Sequence, residues 1–237
     1  MNREYHHWYS PALQRDMEIL VFGHDGPPVL VFPSFLGRFY EYEDRGMIAA
    51  LTHKYDAGRL RAFCVDSLDA ETWNNTSVPP RLRIERHMQW EQHILSEIVP
   101  MIRNRAQTDR IAVTGCSFGG YHAVNFALRH PDIVHTCVSM GGAFDIRGYL
   151  DGYWDQDVYF HNPPEYLRNL EDDWYLSLYR EGLRLVLATG EHDPCLDANF
   201  KLSGILNKKG IPHYLDVWGD GAGHDWPWWQ QMARKFF

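Results

Sequence analysis

Short apolar runs of strand length, each closed by a Gly or Pro turn and followed by a helical pattern, recur along these 237 residues. That alternation restricts the fold strongly, because strands joined through helices pair in parallel and bury both faces of their sheet. Met17–Phe22 and Pro28–Phe32 read as neighbouring strands joined by the turn His24-Asp25-Gly26-Pro27. Arg61–Val65, Arg110–Thr114, Ile133–Met140, Leu183–Ala188 and His213–Val217 complete a set of seven. Between them, Ile84, Met88, Leu95, Ile98, Val99 and Ile102 share one helical face, with Pro100 marking a kink or an end. Ala123, Val124, Ala127 and Leu128 form a second such face before His130-Pro131. Leu196–Lys209 is a helix closed by Gly210, and Trp226–Phe237 is one with Pro227 in its first turn. The expected fold is α/β, a mostly parallel central sheet flanked by helices. With no polar linker and no repeat, residues 1–237 read as one domain. Residues 144–180 interrupt the alternation and read as an insert above the sheet.

Charge narrows the partners. The formal net charge of −8 argues against nucleic acid, whose phosphates call for a basic face, and against an anionic membrane surface. An apolar fraction of 45% beside 23% charged residues indicates a packed core rather than disorder. The opening MNREYHHWYS holds no apolar stretch long enough for a signal-peptide core or a membrane span, so the expected location is cytoplasmic. Cys64, Cys116, Cys137 and Cys195 are scattered, without zinc-type or C-x-x-C spacing, and read as free thiols.

One of the strands carries chemistry. Ile111-Ala112-Val113-Thr114 runs into Gly115-Cys116-Ser117-Phe118-Gly119-Gly120 and then a helix. This is G-x-S-x-G at a strand-to-helix turn, where a strained backbone lifts the serine hydroxyl above the sheet. Glycines two residues to either side leave room for the turn. The helix behind Ser117 offers free N–H groups and a positive dipole end to a developing oxyanion.

A serine nucleophile needs a base and an acid, which follow it in the chain in this type of site. His224 lies in the Gly-rich loop Trp218–Trp226 between the last strand and the last helix, placed to reach the strand ends. Behind the strand Leu183–Ala188, Asp193 is the first choice for the acid, with Asp197 second as a residue also suited to capping a helix. The run Glu191-His192-Asp193 lacks the spacing of metal ligands, and neither a metal nor an organic cofactor is expected.

Three stretches carry a family resemblance: Pro33-Ser34-Phe35-Leu36-Gly37, Gly115–Tyr121, and Gly223-His224-Asp225-Trp226 followed by Trp229. With them the chain resembles the α/β-hydrolases, in the branch of esterase D, the feruloyl esterases and the mycolyltransferases. That resemblance implies a serine esterase in which Ser117, His224 and Asp193 form the triad and a small-molecule ester is the substrate. It also implies that the backbone N–H groups of Phe35 and Phe118 bind the oxyanion. In place of a His-Gly-Gly-Gly loop, bulky Phe35 and Leu36 stand at the first of these positions.

Two alternatives accompany ester hydrolysis. An acyltransferase would pass the same acyl group to an alcohol or sugar, and a non-catalytic member of the fold would only bind. Trp73, Phe160 and His161 are candidates for the walls of a substrate pocket, with ordinary packing as the competing reading. Residues 144–179 hold ten aromatic residues, and the expectation is a cap-like aromatic cover over Ser117.

Overall fold

The computed structural model describes residues 1–237. Eight strands form one sheet: β1 (Arg3–Ser10), β2 (Arg15–Phe22), β3 (Pro28–Phe32), β4 (Arg61–Val65), β5 (Ile111–Cys116), β6 (Val134–Met140), β7 (Arg184–Gly190) and β8 (Tyr214–Trp218). Their order is β1-β2-β4-β3-β5-β6-β7-β8. From β4 onward every pairing is parallel, while β1 and β2 are antiparallel to their neighbours.

Every residue of β3 and β5 is buried, as strands with helices on both faces require. Three short helices follow β3: α1 (Glu41–Asp44), α2 (Met47–Ala50) and α3 (Thr52–Asp56). Next come α4 (Pro80–His93), α5 (Val99–Ala106) and, after β5, α6 (Phe118–Arg129). Within the insert lie α7 (Gln156–Phe160), α8 (Pro163–Tyr166) and α9 (Asp173–Gly182), and α10 (Leu196–Lys208) and α11 (Trp226–Phe236) follow β7 and β8. Two apolar cores result, one per face. The larger packs α4, α5, α6, the insert and α10 on the sheet; the smaller packs α1–α3 and α11.

Three expectations change. β2 and β3 are not neighbours, since β4 lies between them, with Ile19 paired to Val65 and Val31 to Cys64. The chain leaving β3 passes through α1–α3 and returns in parallel, which inserts β4 on the side that a hairpin partner would have taken. Strand β1 escapes an apolar-run search because it is an edge strand whose residues alternate between exposed and half-buried, with His6 and Trp8 half-buried. Pro100 does not end the helical run: it sits in the first turn of α5, which follows α4 through a π-helical stretch, Ile94–Ile98, a distortion of the kind that kinks helices. All four cysteines are free, and three are buried. No helix is long and apolar enough to cross a membrane.

Candidate active site

Ser117 stands between β5 and α6 with φ 55° and ψ −122°. For a residue with a Cβ this backbone costs about 1–3 kcal/mol and persists only where the surroundings enforce it. The enforcement is close packing. A Cβ on Gly115 would lie 2.2 Å from the Gly119 carbonyl, and one on Gly119 would lie 2.5 Å from the Phe32 and Pro33 oxygens. The Ser117 N–H donates to the Met140 carbonyl at 2.8 Å, tying the turn to β6.

The loops after β7 and β8 bring two more groups to this point. His224 Nε2 lies 2.8 Å from Ser117 Oγ, and its Nδ1 lies 2.9 Å from Asp193 Oδ1. Asp193 Oδ1 also accepts the Cys195 N–H at 2.7 Å, and the Asp193 side chain is fully enclosed. Glu191 steadies the histidine loop by accepting the Gly221 N–H at 2.7 Å. Asp225 caps α11 through the Trp226 N–H at 2.7 Å, and the His224 ring packs edge-on to Trp229 at 4.8 Å. Asp197, the second choice for the acid, is exposed in the first turn of α10 and makes no cap.

Electrostatics follow the geometry. Burial disfavours a charged His224, but the hydrogen bond of Asp193, the neighbouring Cys195 and the charge of Asp193 together outweigh it and raise the imidazole above its ordinary value. Burial likewise opposes a charged Asp193, yet the bonds from His224 and from the Cys195 N–H lower it. Asp193 therefore holds a negative charge that favours the Nδ1–H tautomer and leaves Nε2 to accept a proton from Ser117. Cys195, Asp193 and His224 also offer ligand atoms within 4.8 Å of one another, the one such cluster of possible metal-ligating groups in the chain.

Opposite the serine runs the loop Pro33–Phe39. Glu41 accepts both the N–H and the hydroxyl of Ser34, at 2.8 and 2.6 Å. Asp69 accepts the Leu36 N–H at 3.0 Å, and Asp66 accepts the Phe39 N–H at 3.2 Å. Neither the Phe35 N–H nor that of Phe118, at the start of α6, has an acceptor within the protein. The Phe35 ring meets Phe118 edge-on at 5.4 Å and Tyr149 at 5.5 Å.

The three candidate wall residues fare differently. Trp73 is 2% exposed and packs behind the site, edge-on to Phe118 and Tyr121. His161 is buried with both ring nitrogens occupied, by the Asp157 carbonyl and by Glu91, so it has no polar group to offer a substrate. The Phe160 ring is exposed beside Arg129, at the far end of α6, about 18 Å of helix away from Ser117. Of the ten insert aromatics, Tyr149 packs on Phe35 and Phe118. Six others, Tyr159, Phe160, Tyr166, Trp174, Tyr175 and Tyr179, line a cavity of about 640 Å³ near Arg129 instead.

Asp69, Glu41 and Gly141 were not among the sequence candidates, whereas Tyr149 was one of the ten aromatics expected to cover Ser117. Gly141 has φ +60°, and a Cβ there would lie 2.7 Å from Asp193 Oδ2 and 3.1 Å from His224 Nδ1. The Gly141-Gly142 pair at the end of an expected strand was the available signal, since paired glycines there mark a close backbone approach.

The sequence matches the Esterase family, described as "Putative esterase", over residues 10–233. The chain belongs to that family. Its solved structural relatives share the fold at low identity. A ferulic acid esterase superposes with a TM-score of 0.80 at 18% identity, over 99% of this chain and 96% of its own. The S-formylglutathione hydrolase FrmB of Staphylococcus aureus gives 0.75 at 16%, over 99% and 94%. A fluorophosphonate-binding serine hydrolase F of the same organism gives 0.71 at 16%, over 99% and 96%. No curated protein sequence matches. The eight-stranded sheet thus has the α/β-hydrolase fold of these relatives, and the family's chemistry is ester hydrolysis.

Proposed function

We propose that this esterase works through a Ser117–His224–Asp193 triad and an acyl-enzyme. The carrying observation is the continuous hydrogen-bonded chain, 2.8 Å from Ser117 to His224 and 2.9 Å from His224 to Asp193, ending on a serine held in a strained turn. As Ser117 Oγ attacks the ester carbonyl carbon, its proton passes to His224 Nε2. Asp193 stabilises the imidazolium that forms. Developing charge on the carbonyl oxygen is met by the N–H groups of Phe35 and Phe118, neither of which has a competing acceptor. Collapse of the tetrahedral intermediate expels the alcohol, which takes the proton from His224. Water, deprotonated by the same imidazole, then releases the acid and restores Ser117.

Aromatic acyl groups suit the site. Phe35 and Tyr149 give it an apolar wall of ring edges, and a structural relative is a ferulic acid esterase. The test is a rapid quench with p-nitrophenyl acetate and with a feruloyl ester, followed by mass spectrometry. The expected result is one acyl group on Ser117 that decays with turnover; turnover without any acylated Ser117 would contradict the triad reading.

A further inference from the structure

Asp69 lies outside the triad, in the turn after β4, yet it touches both sides of the oxyanion-binding region. Its Oδ2 accepts the Leu36 N–H at 3.0 Å, immediately beside the Phe35 N–H. Its Oδ1 lies 3.4 Å from Nε2 of His122, one turn along α6 from Phe118. Both side chains are 2% exposed. The turn that carries Asp69 is itself fixed, because the Asp69 carbonyl accepts the N–H groups of Thr72 and Asn74 at 3.3 and 2.9 Å. His122 is held as firmly, its ring packed on Phe118 at 4.9 Å and on Trp90 at 4.8 Å.

We propose, resting on the triad reading above, that Asp69 is a positioning residue that sets the separation of the two oxyanion donors. Two costs are otherwise without a return. A carboxylate buried against His122 loses its hydration, and an apolar residue of similar shape would pack there without that loss. Leu36 has φ 60°, a left-handed backbone that costs a residue with a Cβ roughly 1–2 kcal/mol. The two fit together: the Leu36 conformation aims its N–H at Asp69, and that bond holds the loop so that the adjacent Phe35 N–H stays free. Through His122 the same carboxylate refers the loop to the helix whose first N–H belongs to Phe118. Asp69 thereby acts through Leu36 and His122 and never meets the substrate.

The experiment compares Asp69→Leu, which keeps the branched heavy-atom outline and removes the acceptor, with Asp69→Asn, which keeps an oxygen for Leu36 and an N–H for His122. Asp69→Leu should lower kcat by about 10²-fold with KM within about threefold, since oxyanion contacts strengthen in the transition state. Asp69→Asn should stay within about fivefold of wild type, and the pH midpoint of both should match wild type because His224 is untouched. A Leu variant with full kcat, or an Asn variant as impaired as Leu, overturns the proposal. Amide exchange in the wild type decides the matter without any variant: Leu36 should exchange at least about 100-fold more slowly than Phe35, and equal rates overturn it. A Ser117→Ala control separates the two readings, since turnover that survives it refutes the triad, whereas the exchange rates still judge the Asp69–Leu36 bond.

Discussion

The carboxylate of Asp193 reaches Nδ1 of His224 at 2.9 Å across 31 positions of sequence, from inside a fully enclosed pocket. Two separate loops, after β7 and after β8, converge to make that bond, and the protonation of His224 depends on it.

The pH dependence follows in sign. In the proposed mechanism His224 must be neutral to take the Ser117 proton, and its folded value is raised above 6.5 by Asp193 and Cys195 against the opposing effect of burial. Activity is therefore gained as pH rises through a midpoint above 6.5. Asp193→Asn removes the charge, so the midpoint of kcat/KM should fall and kcat should drop by about 10³–10⁴-fold. Rate profiles between about pH 5 and 10 read both effects; a midpoint that fails to fall would count against the Asp193 assignment.

Gly141→Ala tests the packing around that pair. The added methyl would sit 2.7 Å from Asp193 Oδ2, in a left-handed backbone. Activity should fall by at least about 10²-fold, as expected when a catalytic group is displaced by an ångström. Stability should fall by about 1–2 kcal/mol from the backbone alone. Paired measurements of kcat and urea denaturation check this.

Tyr149 packs on Phe35 and Phe118, where the proposed function places an apolar wall. Tyr149→Ala should raise KM for a feruloyl ester by about 2–10-fold, the value of one aromatic contact, and leave KM for p-nitrophenyl acetate nearly unchanged. Equal effects on both esters would place the ring outside the acyl pocket.

Glu91 ties the insert to the helix layer. It accepts Arg129 through two bonds, at 2.8 and 3.0 Å, as well as His130 at 2.8 Å and His161 at 3.0 Å. Burial opposes its charge, but the His130 and His161 bonds and the Arg129 charge outweigh that and hold its pKa well below the ordinary 4.5. Its stabilisation is present above about pH 4.5 and is lost as pH falls through the lower folded value. Glu91→Ala should destabilise by about 3 kcal/mol at neutral pH. Urea titrations at pH 7 and near pH 3 should show the difference narrowing in acid.

Much of this was readable from the residues. Seven strands, the Ser117 turn and the loops of Asp193 and His224 stand out because buried strands are short apolar runs and the nucleophile turn needs its glycines. Strand order did not, since a turn such as His24–Pro27 says nothing about β4 arriving between β2 and β3. Asp69 was equally hidden: its meaning depends on Leu36 and His122, 33 and 53 positions away, meeting it in space. The aromatic insert was legible as composition, but which rings reach Ser117 depends on how α7–α9 pack against α4 and α6. Tyr149 packs on Phe35 and Phe118, while Phe160 and Trp174 face a different cavity.

Fluorophosphonate labelling addresses the central claim most directly, because the probe bonds only to a serine activated by its neighbours. Folded wild-type protein should take up one probe on Ser117, identified by mass spectrometry, and Ser117→Ala of unchanged thermal stability should take up none. A well-folded wild type that stays unlabelled, or label that persists in Ser117→Ala, would contradict the account.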